Sequence, residues 1–346
     1  MPLSPNIIER TLFLTLNQGP GPMLDMWSGP AFWTINTALK LDIFETLANG
    51  PQNAVEVAQA ISGDSKGVLI LLNALTELGY VKRRGDDYSN SPMTEKWMLD
   101  SGSINFSPFF LYWGALMEHF MPRLAESIRS GDDMDFYTWI EDQPEVSRHF
   151  QEGMIQLARF IADDIAKAVS IPDGTKRVLD VGGGHGEYSI ALCKANPGLS
   201  AIIFDGEQAL VTGRETVKNA GMSERFEFQP GNFMQDELPA SVDVALVFNI
   251  VHGLKAEQNV DLFRKIKSTL NPDGQIVILE QVHNVSPMPM ANTVSHILSM
   301  AYYHLIGGQV YTAEEIERWL TQAGFASVQR KSILKASSVL VTGVST

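Results

Sequence analysis

The chain has little cysteine, few basic residues and no long apolar run. Its single cysteine, Cys193, cannot form an internal disulfide, which favours a reducing, cytoplasmic location. No segment approaches the roughly 18 consecutive apolar residues that a membrane-spanning helix requires. With 40 acidic against 26 basic residues, the formal charge of -14 opposes binding to a phosphate backbone or an anionic membrane. We therefore expect a small organic partner, with no nucleic acid and no membrane.

The length of 346 residues exceeds what one hydrophobic core usually supports, so more than one domain is expected. Changes in the sequence pattern predict three parts: residues 1–100, residues 101–170 and residues 171–346. The first is predicted to be a mostly helical, winged-helix-like domain. A helical linker and then an α/β domain are predicted to follow.

Residues 1–100 follow the element order of a winged helix. Apolar spacing predicts helices over Phe32–Leu47 and Val55–Ile61, and a third helix that Asp64 or Ser65 caps and Gly79 ends. A short β-hairpin is predicted after them.

A winged helix invites a DNA-binding interpretation, which the charges of this one oppose. Residues 1–100 contain seven basic and eleven acidic side chains, whereas a DNA-binding surface is basic. The predicted recognition helix offers one basic residue, Lys66, and is otherwise mostly aliphatic. Such a helix is better suited to packing against a second subunit.

Aromatic and methionine side chains are unusually frequent between Phe106 and Ser170. Helix packing explains each one separately, but together they suit the wall of a site for a flat apolar ligand. A second such stretch runs from Met288 to Tyr303. The side chains expected to line this pocket are Phe109, Trp113, Met154, His296, Met300 and Tyr303.

After residue 174 the pattern changes to short β-runs that alternate with helices, which predicts a parallel sheet with crossover helices. The parallel strands are predicted at Arg177–Val181, Ala201–Phe204, Phe226–Gln229, Val242–Phe248 and Gln275–Leu279. Two final β-runs, Ser327–Leu334 and Ser338–Val344, are joined by Lys335, Ala336 and Ser337 without a helix. They predict an antiparallel hairpin that completes a seven-stranded, Rossmann-like α/β sheet.

A glycine-rich turn follows the first parallel strand. Asp180 lies near the end of the strand, and Gly182, Gly184 and Gly186 precede the next helix. Such a turn lets a ligand approach the backbone closely. A dinucleotide fingerprint would place a glycine where Glu187 stands, so the spacing argues against NAD.

Polar side chains also follow the other parallel strands. Asp205 ends the second strand, 19 residues after Gly186, which suits binding to a ribose diol. Asn232 and Phe233 follow the third strand, where an amide and a ring suit an adenine. The remaining two strands are followed by Asn249, His252 and Glu280. All these positions lie at the carboxyl ends of parallel strands, where open α/β sheets bind their ligands.

Taken together, these motifs resemble the plant-type O-methyltransferase family, which includes caffeate and acetylserotonin methyltransferases. The similarity extends over nearly the whole chain. It rests on Ala38–Phe44, Gly50-Pro51, Leu78–Tyr80, Asp180–Gly186, Phe204-Asp205, Gly231–Phe233, Pro272–Gly274, Glu280 and Ala323–Phe325. The resemblance implies a homodimer formed through the N-terminal domain. It also implies an enzyme that uses S-adenosylmethionine to methylate a hydroxyl of an aromatic or polyketide-like molecule.

The resemblance further implies roles for individual residues. His252 matches the family's general base, and Glu280 matches a carboxylate that orients it. The cofactor would be held by Asp180, Gly182, Gly184, Gly186, Asp205, Asn232, Phe233 and Asn249. Two positions depart from the family pattern: Gly253 replaces an aspartate that usually follows the histidine, and Val310 stands near the place of a second carboxylate.

Other functions fit parts of the same pattern. Methylation at carbon or nitrogen, or non-methylating tailoring chemistry with the same cofactor, is compatible with this fold. Outside enzymes, the alternative is a winged-helix regulator that senses S-adenosylmethionine. His252 and His296 can be imagined as a metal-binding pair, but Gly253 removes an obvious carboxylate ligand, so no metal is expected.

Overall fold

The computed structural model describes residues 6–19, 21–285, 289–333 and 337–345. The chain divides into two compact units. Residues 1–119 and 148–156 form the first unit, and residues 120–147 and 157–346 form the second. Within the described residues, no helix is both long enough and apolar enough to cross a bilayer.

The first unit combines helices with a small antiparallel sheet. Its helices are α1 (Ile7–Arg10), α2 (Pro22–Lys40), α3 (Ile43–Ala48), α4 (Ala54–Ala60), α5 (Ser65–Glu77), α6 (Pro92–Trp97) and α7 (Ser107–His119). Its strands are β1 (Gln52–Asn53), β2 (Val81–Arg84) and β3 (Asp87–Asn90), in the order β1-β3-β2. Helix α5 followed by the β2–β3 hairpin reproduces the predicted order of helix and wing.

One predicted helix of this unit is divided in two. A single helix over Phe32–Leu47 was expected, but α2 ends at Lys40 and α3 begins at Ile43. Asp42 between them has a left-handed conformation with a φ of 53°, which interrupts a right-handed helix. The predicted cap of α5 is confirmed at Asp64, whose carboxylate accepts the N–H of Gly67 at 2.7 Å.

The second unit is built on a seven-stranded sheet, as predicted. The strands are β4 (Arg177–Val181), β5 (Ser200–Asp205), β6 (Phe226–Pro230), β7 (Val242–Phe248), β8 (Leu270–Gln281), β9 (Phe325–Ile333) and β10 (Ser338–Ser345). Their order is β6-β5-β4-β7-β8-β10-β9. Strands β4 to β8 are mutually parallel, whereas β10 runs antiparallel to both β8 and β9. The predicted antiparallel hairpin is confirmed, although Leu334, Lys335 and Ala336 of its connection lie outside the described residues.

Helices cover both faces of this sheet. The helices of the second unit are α8 (Leu124–Ser130), α9 (Phe136–Glu141), α11 (Glu187–Ala195), α12 (Glu207–Asn219), α13 (Ala256–Thr269), α14 (Pro289–Ile306) and α15 (Ala313–Gln322). Helix α10 (Pro144–Ala168) contributes residues to both units. Helices α13 and α15 pack on one face of the sheet, and α10, α11 and α12 pack on the other. Cys193 of α11 is fully buried in the second of these cores.

The strand order fixes where a ligand site can form. The chain proceeds from β4 outward to β5 and β6, and then returns to β7 on the other side of β4. The crossovers therefore diverge at the carboxyl ends of β4 and β7. This reversal leaves a crevice in open α/β sheets, and it is where such sheets bind ligands.

Candidate functional site

The glycine-rich turn lies at the carboxyl end of β4, on one side of this crevice. Gly182, Gly184 and Gly186 all have positive φ values, of 68°, 42° and 73°. Because side chains with a Cβ rarely adopt such angles, the turn depends on glycine at these positions. The turn thus exposes its backbone to the crevice rather than side chains.

Space as well as backbone angle restricts this turn. A Cβ atom at Gly182 would lie 2.4 Å from Ile250 Cδ1 and 3.6 Å from the ring of Phe233. A Cβ atom at Gly186 would lie 2.7 Å from Ile203 Cδ1. The glycine turn therefore lies against Ile250, which follows β7, and Phe233, which follows β6. These two side chains form an apolar wall beside the backbone of the turn.

Asp205, at the carboxyl end of β5, is joined to the glycine turn. Its carboxylate accepts the N–H of Gly184 at 2.9 Å and the N–H of Gly206 at 2.7 Å. Burial raises the pKa of Asp205 despite these two bonds. The carboxylate therefore fixes the turn and still retains acceptor capacity for a ligand.

Asp180 lies below the turn and is 2% exposed. Its Oδ2 accepts the hydroxyl of Ser189 at 2.6 Å. Burial raises its pKa to about 7, and the neighbouring charge of Asp205 adds to the effect of burial. Two acidic groups are thus held close together in a poorly solvated place.

His185, inside the turn, is held neutral. Its Nδ1 accepts the N–H of Glu187 at 3.1 Å. Burial, together with the positive charge of Arg159, lowers its pKa to about 4. Arg159 in turn forms an ion pair with Glu187 at 2.6 Å. These contacts indicate that His185 stabilises the conformation of the turn.

His252 and Glu280 form a close pair on the other side of the crevice. His252 lies in a helical turn after β7, and Glu280 lies near the end of β8. Nδ1 of His252 is 2.8 Å from Glu280 Oε1, and the backbone N–H of His252 donates to Glu280 Oε2 at 3.2 Å. Glu280 is fully buried, whereas the His252 side chain is 16% exposed. Because the carboxylate is an acceptor, Nδ1 carries the hydrogen and Nε2 is left as the basic nitrogen.

Two further groups confine His252. The ring of Tyr302 in α14 stacks on the imidazole with a centroid distance of 4.2 Å and an interplanar angle of 11°. The N–H of Gln309 donates to the His252 carbonyl at 2.9 Å. A Cβ atom at Gly308 would fall 1.9 Å from that carbonyl oxygen, so the chain approaches this closely only with glycine there.

Asn232 and Asn249 both lie at the same edge of the sheet. Asn249 follows β7 with a φ of 57° and forms a hydrogen bond with Tyr188, the second residue of α11. Asn232 follows β6, and its Oδ1 accepts the N–H of Met234 at 2.9 Å. All eight predicted cofactor residues are therefore at the carboxyl edge of the parallel strands.

The predicted pocket residues are divided between the two units. Phe109 and Trp113 on α7 pack edge to face with ring centroids 6.1 Å apart, and Met154 is on α10 beside Gly153, which packs against Phe109. These three belong to the first unit. The other three lie on α14 in the second unit: His296, Met300 and Tyr303. The Tyr303 hydroxyl donates to the Ser127 carbonyl at 3.5 Å.

Sequence analysis did not identify Tyr302 or Tyr137. Tyr137 is more than half exposed, yet the protein around it and the charge of Asp205 raise its pKa, so its hydroxyl lies within electrostatic reach of Asp205. Both tyrosines are far in sequence from the strand ends, and no periodic pattern marks them. The aromatic richness of the two stretches that contain them was the only available signal.

The two histidines that could be imagined as a metal-binding pair each stack on another ring. His252 stacks on Tyr302, whereas His296 stacks on His283 at 4.1 Å. Among the residues that the structure describes, no three or more histidine, cysteine or acidic side chains are grouped so that they could hold a metal ion.

Comparison with known proteins gives matches along most of the chain. Residues 31–100 match the family model for an O-methyltransferase dimerisation domain, and residues 123–326 match that for an O-methyltransferase domain. One similar protein is a 3-hydroxy-5-methyl-1-naphthoate 3-O-methyltransferase from Streptomyces sahachiroi. It is 27% identical over 303 residues, which cover 86% of each chain.

A second relative and one solved structure complete the comparison. The tetracenomycin polyketide synthesis 8-O-methyl transferase of Streptomyces glaucescens is 27% identical over 334 residues, covering 91% of this chain and 94% of the relative. The crystal structure of human N-acetylserotonin methyltransferase with SAM superposes with a TM-score of 0.82 at 19% identity. The superposition covers 93% of this chain and 96% of the human one, and it shows that the two folds are alike.

Proposed function

Because this chain belongs to the O-methyltransferase family and is an S-adenosylmethionine-dependent methyltransferase, we propose that His252 is its general base and that an aromatic hydroxyl is its acceptor. The observation that carries this proposal is the 2.8 Å contact between Nδ1 of His252 and the buried carboxylate of Glu280. It orients the imidazole and directs its basic nitrogen away from the carboxylate.

The glycine turn and its neighbours fit the cofactor. The close packing at Gly182 and Gly186 requires glycine, whereas a Cβ atom at Gly184 would meet only Asp205 Oδ2, at 3.4 Å, so a ligand can approach the backbone beside Asp205. We assign the ribose diol to Asp205 and the adenine to Asn232 and Phe233. Asp180 and Gly184 support the turn, and Asn249 holds Tyr188 beside it. When bound, S-adenosylmethionine supplies an electrophilic methyl group.

His252 then has one task, which is to take the acceptor's proton. A phenol has a pKa near 10 and is a weak nucleophile at neutral pH unless a base removes its proton. Nε2 of His252 would accept this proton while Nδ1 keeps its hydrogen bond to Glu280. The negative carboxylate stabilises the positive charge that the imidazole gains.

The acceptor class follows from the relatives and from the composition of the predicted pocket. The two Streptomyces relatives are named for a hydroxynaphthoate and a polyketide. We infer a flat acceptor of this kind, which suits the aromatic and methionine side chains predicted for the pocket.

We also propose that the enzyme is a homodimer that acts in the cytoplasm. The first unit exposes large apolar side chains, among them Met26, Trp27 and Ile70 at 52% to 60%. Its residues 31–100 match a dimerisation domain. Such exposure is costly in a monomer and is expected where a second copy packs. The unpaired, buried Cys193 suits a reducing compartment.

The proposal is tested by incubating the enzyme with S-adenosylmethionine and a panel of hydroxynaphthoates and substituted phenols. Mass spectrometry should detect products heavier by one methylene, and NMR of the products separates methylation at oxygen from methylation at carbon or nitrogen. His252→Ala should lower kcat about 10² to 10⁴-fold with S-adenosylhomocysteine affinity retained, because only the proton acceptor is lost.

His119→Ala is the matched control, since His119 is exposed at the end of α7 in the first unit. It should retain full activity. An undiminished rate for His252→Ala would remove His252 from the mechanism, and a product methylated at carbon or nitrogen would replace the proposed O-methylation.

A further inference from the structure

His252 is held by one carboxylate and one aromatic face. Glu280 binds the Nδ1 edge of the imidazole, and Tyr302 covers one face at a centroid distance of 4.2 Å. Within the described residues, no second carboxylate pairs with the imidazole. The nearby Val310 is 2% exposed and apolar.

A single contact at Nδ1 leaves the ring plane free. It fixes the distance between His252 and Glu280, but the imidazole can still tilt about the Nδ1 contact. A parallel ring at an interplanar angle of 11° removes this freedom. The direction in which Nε2 points therefore depends on Tyr302 as much as on Glu280.

Tyr302 is itself rigidly placed. Two residues further along α14, His304 is fully buried, with its ring nitrogens 2.9 Å from Ser127 Oγ and 2.8 Å from the Phe120 carbonyl. Beyond the end of α14, the N–H of Gln309 binds the His252 carbonyl. The chain is thus anchored at two points that follow Tyr302: His304 binds Ser127 and Phe120, and Gln309 binds His252 itself.

Tyr302 is in the right protonation state to act through its ring. Burial raises the pKa of Tyr302, and the charge of Glu280 and the presence of Tyr137 raise it further. The side chain is therefore a neutral phenol at physiological pH. The face of a neutral aromatic ring attracts a cation, so it favours the imidazole when that ring is positively charged.

We propose that Tyr302 is a positioning residue for the reaction: its ring fixes the plane of the His252 imidazole and stabilises the imidazolium formed when His252 accepts a proton. The proposal rests on His252 being the general base. It assigns the effect to the ring and not to the hydroxyl. Tyr302 thereby supplies part of the orientation and charge stabilisation that a second carboxylate beside the imidazole would supply.

The test compares Tyr302→Phe with Tyr302→Leu, using the panel compound that the wild-type enzyme methylates fastest. The phenylalanine variant keeps the ring and should retain the wild-type kcat. The leucine variant should lose about 2- to 30-fold in kcat, the range expected from one cation–π contact, with little change in KM. Equal losses in the two variants would overturn the proposal, because they would point to the hydroxyl.

A double-variant cycle separates action through His252 from a general structural effect. If Tyr302 acts through His252, Tyr302→Leu should cause no further loss in a His252→Ala background. Multiplicative losses would overturn the role of Tyr302 while leaving His252 as the base. A full rate in His252→Ala alone would instead overturn the proposed function, so the two failures are distinguishable.

A measurement that needs no turnover completes the test. In NMR spectra of the full-length protein with S-adenosylhomocysteine, the His252 ring protons are assigned by their loss in His252→Ala. The stacked ring of Tyr302 should shift them upfield, and Tyr302→Phe should preserve that shift. Tyr302→Leu should abolish it. An unchanged position in Tyr302→Leu would show that the rings do not stack in solution and would overturn the proposal.

Discussion

Replacing Glu280 by glutamine should separate catalysis from stability. The carboxylate is fully buried and accepts three N–H groups: the His252 ring at 2.8 Å, the His252 backbone at 3.2 Å and the Gln281 backbone at 3.0 Å. Glutamine has nearly the same shape, but it is neutral and one of its two acceptor oxygens becomes a donor. At least one of the three N–H groups then loses a good partner.

The expected loss of activity follows from the hydrogen bond to the ring. A hydrogen bond to a charged group contributes about 1.5–3 kcal/mol, and this contribution grows when the imidazole becomes positive. Each 1.36 kcal/mol corresponds to a factor of ten in rate. We therefore expect Glu280→Gln to lower kcat about 10- to 100-fold.

Stability should fall only slightly, because removal of a buried charge offsets the cost of the N–H group that loses its partner. A buried carboxylate pays a desolvation cost that the contact with one imidazole offsets only in part, so a neutral side chain of the same size is tolerated. The assay measures kcat together with Tm for Glu280→Gln and for the exposed control Glu227→Gln. The control should change neither quantity, because its ion pair with Arg177 is solvent-exposed. A wild-type kcat for Glu280→Gln, or a loss of kcat matched by a large fall in Tm, would refute the reasoning.

Two predictions concern the acidic residues of the glycine turn. Asp205→Ala removes the acceptor of two backbone N–H groups and should weaken binding of S-adenosylhomocysteine about 10- to 100-fold in calorimetry. The control is Asp243→Asn, which alters a carboxylate that accepts two N–H groups at the opposite end of β4 and should leave the affinity unchanged. Equal effects of the two variants would contradict the assignment of Asp205 to the cofactor. Because its pKa is about 7 in the folded protein and near 4 in the unfolded chain, Asp180 stabilises the fold progressively less as pH rises from about 4 to 7. Asp180→Asn should therefore raise Tm relative to the wild type more at pH 8 than at pH 5, and an equal difference at the two pH values would contradict the raised pKa.

The sheet could be predicted because its signals are local. Buried parallel strands appear as short apolar runs, and β4 and β7 begin and end at the residues that the sequence predicts. The break between α2 and α3 had no such signal, because the apolar spacing continues across Asp42. There the packing of Phe44 and Leu47 in the core of the first unit prevails over helix continuity.

The candidate site could be predicted only in part, for a related reason. Parallel strands bring their carboxyl ends to one edge, so the strand order alone places Asp205, His252 and Glu280 at the same edge of the sheet. Tyr302 is on a helix, and its direction depends on how that helix is anchored. Those anchors are side-chain contacts of His304 with residues more than 170 positions earlier in the chain, and no sequence spacing encodes them.

The carboxyl groups at this edge of the sheet favour the binding of positively charged groups. Asp180, Asp205 and Glu280 bring three largely buried carboxyl groups to the same edge of the sheet, and burial raises the pKa of the two aspartates. A site of this kind is unfavourable when empty of positive charge, because each buried anion lacks a full counter-charge. S-adenosylmethionine carries a positive sulfonium, and a protonated His252 adds a second positive charge beside Glu280. Under the proposed function we expect these carboxylates to favour both cations, and S-adenosylhomocysteine, with its neutral sulfur, to gain less from them.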